Sequence, residues 1–352
     1  MAIIRKKTGN FLEDFKIGSV LRHKVGKTVN EGLVNAFTEF AMTANPLHKN
    51  RRYAQLYGYR DIILPPGLVM AVVFSQSVED VSENARANLE YVDMRFGVPV
   101  YVGDTLESTS IVLGVTPSSK DKSLGVVHVQ TTGRNQHGDV VLTFERKVQV
   151  WKNDVEVEVV KAATDAARVE CTLELPRYDA AAPYATLSHL SNGDTYFEDF
   201  TVGDTIEHSR GRTMTSEHIA LTAMLDNTSQ VHCNQYMIDR NPERFVGGQL
   251  IIFGGIPFQL CLGLSCPDVA DNSLGDLVYK TGRHSAPLFA GDTVFASTEI
   301  TGRRDLDGRS DLGVLDTILR GHKFVTKHDT PDKVEIFYLE RSIVVKRRSH
   351  YA

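Results

Sequence analysis

The sequence has few of the features that would point to a membrane, a disulfide framework or a nucleic acid. Its four cysteines, Cys171, Cys233, Cys261 and Cys266, have neither the spacing of a disulfide scaffold nor the paired CxxC of a zinc site. They are expected to be buried free thiols, and no metal is implied. The opening stretch Met1–Asn10 lacks the apolar core of a secretory signal, and the apolar run from Ile62 to Phe74 is shorter than the ~20 residues that span a bilayer. A soluble, cytoplasmic protein with no membrane partner is therefore expected. Lys and Arg number 39 against 44 Asp and Glu, giving a net charge of -5, and no basic tail or long like-charge block invites a nucleic acid. A small molecule is the default ligand. What the chain does have is length and apolar content: 352 residues, 42% hydrophobic, enough for one large or two ordinary cores.

The strongest feature is an internal repeat. Phe11-Leu12-Glu13-Asp14-Phe15-Lys16-Ile17-Gly18 returns as Tyr196-Phe197-Glu198-Asp199-Phe200-Thr201-Val202-Gly203. The same offset of 185, from Asp14 to Asp199, pairs His23 with His208, Gly26 with Gly211 and Thr28 with Thr213. Further on, Arg95 to Thr105 is answered by Arg283 to Thr293, both closing on Gly-Asp-Thr, and Glu145-Arg146 is answered by Glu340-Arg341. A repeat of about 150 residues is too long for a solenoid unit and marks a duplicated domain. The expected organisation is an N-terminal copy over 1–152, an Ala-, Asp- and Pro-rich linker over 153–193 and a C-terminal copy over 194–352.

Within each copy, period and punctuation predict the elements. Asn30 is placed to cap a helix through Leu33, Phe37 and Phe40, and Thr215 to cap one carrying Ile219 and Met224. Next comes a segment apolar on every side, Leu64 to Phe74 in one copy and Gly247 to Ile256 in the other, the mark of a buried helix. Alternating strands follow at Tyr91–Val102, Thr105–Val115, Gly125–Arg134 and Val140–Trp151, and again from Leu277 to Val345. A buried helix wrapped by a curved antiparallel sheet is an α+β hot dog, and two tandem copies would pack as a double hot dog.

Both copies place a histidine after the leading helix with an asparagine two residues on: His48 with Asn50, and His232 with Asn234. A histidine in that place is often structural, but its recurrence upstream of a glycine-led helix suits acid-base work, since imidazole titrates near neutrality. Gly67 and Gly248, read as the first turns of the buried helices, would let a ligand approach backbone N–H groups at the positive end of a helix dipole. Close packing would also explain them. The set suits addition of water to a double bond conjugated with a carbonyl, for which no cofactor is required.

Asn45-Pro46-Leu47-His48, the glycine-led helix and Phe96-Gly97-Val98-Pro99-Val100-Tyr101-Val102-Gly103-Asp104-Thr105-Leu106 resemble the MaoC-type, R-specific enoyl-CoA hydratase family. Within it, the layout is similar to the mesaconyl-CoA hydratase (β-methylmalyl-CoA dehydratase) branch. The residues that carry this are Gly9 to Phe15, Asn84 to Tyr91 and Asn227 to Asn234. The resemblance implies a hydro-lyase acting on a CoA thioester. It also implies an Asp-x-Asn-Pro-Leu-His motif in which Asp and His activate water, but Thr43 and Asn227 stand at the Asp position. Carried over residue by residue, it makes His232 the favoured acid-base residue with Asn227 positioning the water, and His48 with Asn45 the competing site. Glu39 or Asp226 is placed to supply the missing carboxylate. Arg95 and Arg283, at matched strand positions, are candidates for holding a substrate carboxylate, or else form structural ion pairs. Lys49, Arg51, Arg52 and Arg60 are candidates for the CoA phosphates. Hydration of ordinary 2-enoyl chains, thioester cleavage and a non-catalytic acyl-CoA-binding subunit are the alternatives, and pairing of exposed sheet edges suggests a homodimer.

Overall fold

The structure is a computed structural model that describes residues 8–242, 244–327 and 330–352, with no side chains described for 326–331. Most of the Met1–Asn10 stretch read for a signal thus lies outside the described residues.

The first half opens with a 3-10 turn at Leu12–Asp14, where Asp14 accepts a hydrogen bond from the Phe11 N–H (2.8 Å). Short strands β1 (Val20–Arg22) and β2 (Lys27–Thr28) lead to helix α1 (Glu31–Phe40), capped by the Asn30 side chain on the Leu33 N–H (2.9 Å). Helices α2 (Arg51–Leu56) and α3 (Pro66–Gln76) follow. Then come β3 (Ala85–Phe96), β4 (Thr105–Pro117), β5 (Leu124–Arg134) and β6 (Val140–Trp151). The connecting segment contributes β7 (Ala162–Ala163), which pairs with β4.

The second half repeats the order with β8 (Thr205–Thr213), α4 (Glu217–Met224), α5 (Gln235–Asp239) and α6 (Gly255–Ser265). Strands β9 (Ser273–His284), β10 (Thr293–Leu306), β11 (Arg309–Lys327) and β12 (Thr330–Lys346) follow, and α7 (Arg348–Tyr351) ends the chain. Ser216 immediately precedes α4 without a side-chain cap bond, while the Thr215 hydroxyl accepts from the Glu217 N–H (3.4 Å) and donates to the Glu217 carboxylate (2.9 Å).

Among the described residues the strands form one antiparallel sheet whose main path runs β1-β4-β5-β6-β3-β9-β12-β11-β10-β8. The order is a palindrome about the β3–β9 seam, where Tyr91 faces Gly282 and Met94 faces Tyr279. Each half of the sheet curls around its own buried helix, α3 or α6. Both helices are apolar on all faces because strands cover one side and the opposite helix the other. This is the double hot dog.

Several repeated motifs serve the fold. Gly103 and Gly291 hold φ of +95° and +98°, where a β-carbon would be strained. The aspartates after them accept from the backbone N–H of Tyr101 (2.8 Å) and Phe289 (2.9 Å) and close the turn. His23 and His208 each bridge an aspartate, Asp80 or Asp268, and a hydroxyl on β4 or β10. Of the four thiols, only Cys261 and Cys266 are buried, and Cys233 is exposed.

Candidate active site

The two histidine motifs occupy matched places. Pro46 starts a 3-10 turn that ends at His48, and the Asn45 side chain caps it by accepting from the Leu47 N–H (2.9 Å). Asn45 spends its amide hydrogens on the carbonyls of Ala270 (3.1 Å) and Ser273 (2.9 Å), so it pins the first half to the start of β9. His48 Nδ1 lies 2.9 Å from the Ile63 carbonyl. A carbonyl only accepts, so Nδ1 carries the proton and Nε2 is left with its lone pair. Burial drives the imidazole down to about 4, against the raising effect of the Ile63 bond and of the nearby Asp276 charge. It is therefore neutral near pH 7.

A cavity of about 90 Å³ opens at His48. Its walls come from both halves. Thr43, Asn45, His48, Pro66 and Val69 line it from the first, while Gln259, Leu262, Asp276 and Arg341 line it from the second. The connecting segment adds Leu173 and Glu174, held where the Glu174 N–H donates to the Gly97 carbonyl (3.2 Å). Asp276 and Arg341 form a buried ion pair, Nε to Oδ1 at 2.6 Å, with both residues under 8% exposed. The pair's one bond of close geometry is this one, and the buried Tyr279 hydroxyl lies beside both groups. Gln259 donates to the Thr43 hydroxyl (3.1 Å) and leaves its own oxygen buried without a partner.

His232 repeats the local geometry, with Nδ1 2.7 Å from the Ile251 carbonyl and burial lowering it to about 4, but it is not on the wall of this cavity. The matched space is filled. An offset of 188 relates the halves here, so Phe253 stands where the first half has Pro65, its ring 5.6 Å from the His232 imidazole. Phe74 stands where the second half has Leu262, 5.5 Å from Phe253. Asn88 replaces Asp276, with both amide atoms buried and unpartnered, and Arg146 replaces Arg341, lying 4.3 Å over the Phe74 ring. Asn227 accepts from the Ser229 N–H (3.0 Å) while its amide nitrogen is buried unbonded. The site favoured from the sequence, His232 with Asn227, is thus aromatic-packed, and the cavity belongs to the competing histidine.

Other expected site residues lie elsewhere. Gly67 is at the first turn of α3, but Gly248 is not at the start of α6. That helix begins at Gly255, and Gly248 sits in an exposed turn with φ +61°. The structural partner of Gly67 is Gly255, at the offset of 188 that Arg95 and Arg283 already carried. Gly67 is close-packed: a β-carbon there would stand 2.1 Å from Gln259 Oε1. Arg95 pairs with Asp93 (2.8 Å) and Arg283 with Glu335 (3.3 Å), both away from the cavity wall. Glu39 pairs with Lys49 (3.0 Å) and Asp226 with Lys27, so neither supplies a carboxylate to the site. Arg51 and Arg60 are paired with Asp61 and Asp104.

The fold and this site define a MaoC-like double hot-dog hydratase, an enzyme of the hydro-lyase class. A family model described as mesaconyl-CoA hydratase matches residues 2–331, and the chain belongs to that family. It is 37% identical to a β-methylmalyl-CoA dehydratase of Chloroflexus aurantiacus, over 92% of this chain and 91% of that one. A solved MaoC domain protein of the same organism superposes with a TM-score of 0.85 at 32% identity, covering 97% of this chain and 98% of that one. A Mycobacterium tuberculosis protein with a double hotdog fold reaches 0.77 at 21% identity, covering 96% of this chain and 98% of the other, and supports the fold alone. No helix among the described residues is long and apolar enough to cross a membrane.

Proposed function

We propose that this chain catalyses the reversible addition of water to mesaconyl-CoA, giving β-methylmalyl-CoA, at the His48 cavity. The observation that carries the reading is the meeting, in one small apolar cavity, of a neutral imidazole and a buried guanidinium. Conjugate addition puts the hydroxyl on the carbon β to the thioester. In a branched dicarboxylic monothioester with a four-carbon backbone, that carbon also bears the free carboxylate. A carboxylate held on the Arg341 fork therefore carries the attacked carbon one bond away from its anchor. His48 Nε2 takes a proton from water as the C–O bond forms, and the double-bond electrons move onto the thioester oxygen. The Gly67 N–H, the first backbone donor of α3 after Pro66, is the group proposed to receive that oxygen. His48 then returns the proton to the α-carbon, so one water is added in all.

The cavity also bears on the acyl group. Its buried Asp276–Arg341 pair favours an acyl group that carries its own carboxylate over a plain 2-enoyl chain. Mass spectrometry of wild type offered mesaconyl-CoA, crotonyl-CoA and a longer 2-enoyl-CoA tests this. The expected result is preferred hydration of mesaconyl-CoA, lost by about 100-fold or more in His48→Ala with the fold intact. Preference for the longer chain, release of free CoA as the main product, or no reaction at all would overturn it. A cytoplasmic homodimer through the uncovered edge at β1 or β8 completes the proposal. Light scattering of the purified chain tests the dimer.

A further inference from the structure

We propose that Asp276, on the strand that the second half lays across the cavity, is the second catalytic residue, taking the role of the carboxylate that Thr43 no longer provides. The proposal rests on the hydratase reading above and adds to it that the acid-base pair is split between the two halves.

Three observations carry it. The motif before His48 has a hydroxyl where a carboxylate is wanted, and that hydroxyl is already engaged by Gln259. Glu39 and Asp226, the sequence neighbours placed to replace it, are drawn off into exposed ion pairs. Of the two carboxylates on the cavity wall, Glu174 comes from the connecting segment, whereas Asp276 is buried on strand β9 with one oxygen fixed on Arg341 Nε. The closed half supplies the contrast. There Asn88 stands in the place of Asp276, so the histidine enclosed by aromatics has also lost the carboxylate. Among the described residues, a histidine and an aspartate meet at the wall of the cavity on one side, whereas the matched histidine faces Phe253, with Asn88 in the place of the aspartate.

In the step proposed, Asp276 accepts one hydrogen of the water and so turns its lone pair toward the β-carbon. His48 accepts the other as the bond to carbon forms, and the charge of Asp276 steadies the imidazolium until it returns its proton to the α-carbon. No other reactant is needed. Arg341, bonded to the same carboxylate, sets the distance between the anchored substrate and the water.

The test compares Asp276→Asn, Thr43→Asp/Asp276→Asn and His48→Ala with wild type on mesaconyl-CoA. Asp276→Asn copies the asparagine that the other half already carries beside its buried arginine, so folding is expected, checked by circular dichroism and thermal melting. Expected is a loss of about 100-fold or more in kcat with KM changed by less than about threefold, and recovery of about tenfold or more when Thr43→Asp restores the motif carboxylate. Should Asp276→Asn not fold, Asp276→Glu keeps the charge beside Arg341 while displacing the carboxylate by one methylene, and a kcat unchanged from wild type in that variant overturns the proposal. Retention of kcat in Asp276→Asn overturns the proposal while leaving the hydratase reading in place, provided His48→Ala is inactive. Loss without any rescue assigns Asp276 to structural pairing and overturns it too. A wild type that hydrates no 2-enoyl thioester sinks the underlying reading, and the role of Asp276 with it.

Discussion

Lys346 gives the sharpest test of how burial is handled in this fold. Its side chain is fully buried at the junction of the two halves, where Nζ donates to the Tyr53 hydroxyl (2.6 Å) and lies 4.1 Å over the Tyr57 ring. Desolvation lowers the amine to about 7, partly opposed by Asp271. The unfolded amine stays protonated to its ordinary 10.5, so between pH 7 and 10.5 the unfolded chain holds more protons and stability rises with pH. The full interval corresponds to about 5 kcal/mol, of which about 3 falls between pH 7 and 9.5. The aromatic faces favour the cation by about 0.5–2 kcal/mol and reduce the effect. Cys261 and Cys266 pull the other way above pH 9, because burial keeps both thiols protonated when unfolded thiols ionise. The difference between wild type and Lys346→Met isolates the amine. Allowing about 1 kcal/mol for the lost Tyr53 bond, the variant is expected to be about 1–2 kcal/mol more stable at pH 7, with the advantage gone by pH 9.5. Urea unfolding at four pH values measures it. A variant less stable at pH 7, with a pH curve parallel to wild type, would mean that the aromatic cage makes the charged amine a net gain.

Other outcomes follow from the symmetry of the halves. His48→Gln and His232→Gln are expected to cost similar stability in melts, yet only His48→Gln should lose activity, by about 100-fold or more. His48, His232 and His284 are each held near 4 by burial, whereas unfolded imidazoles protonate at 6.5, so stability is lost as pH falls from 6.5 to 4. His284→Phe, the residue that Phe96 supplies in the other half, should remove about 1–2 kcal/mol of that loss, discounted for the ring's partial exposure and read from unfolding at pH 7 and 4.5. Gly67→Ala should destabilise by about 1–3 kcal/mol by thermal melting, through the collision with Gln259 Oε1, and Gln259→Ala in the same chain should relieve it.

Much of the fold was legible because it is written twice. The strands expected from Thr105, Gly125 and Val140 begin within a residue of those positions, and Asn30 caps the helix its spacing indicated. The start of the second buried helix was misplaced by carrying Gly248 forward as the match of Gly67. The offset between halves is 185 at Asp14, 184 at His48 and 188 at Arg95, and the residues added between the histidine motif and the buried helix fall in the loop after α5. The candidate site was less legible. His48 and His232 are locally alike, and what distinguishes them is distant in sequence: Phe253 and Phe74 fill one side, Asp276 and Arg341 furnish the other. Arg341 was visible only as half of a repeated Glu-Arg pair. Asp276 had no repeat to mark it, since its counterpart is Asn88, and the one available signal was a charge in an otherwise inward-facing stretch of strand. Leu173 and Glu174, in what read as a linker, reach the cavity through tertiary contacts that composition does not encode.

The palindromic sheet has an evolutionary consequence. In a dimer of identical chains, any substitution that fills one pocket fills both, and an aspartate lost from one is lost from its twin. Once the two copies share a chain, each half accumulates changes independently. Phe253 and Asn88 could then turn one ancestral pocket into solid core while Asp276 was kept in the other. With His48 as the working site, tandem duplication would free the second pocket from the need to work and let it serve as scaffold for the first.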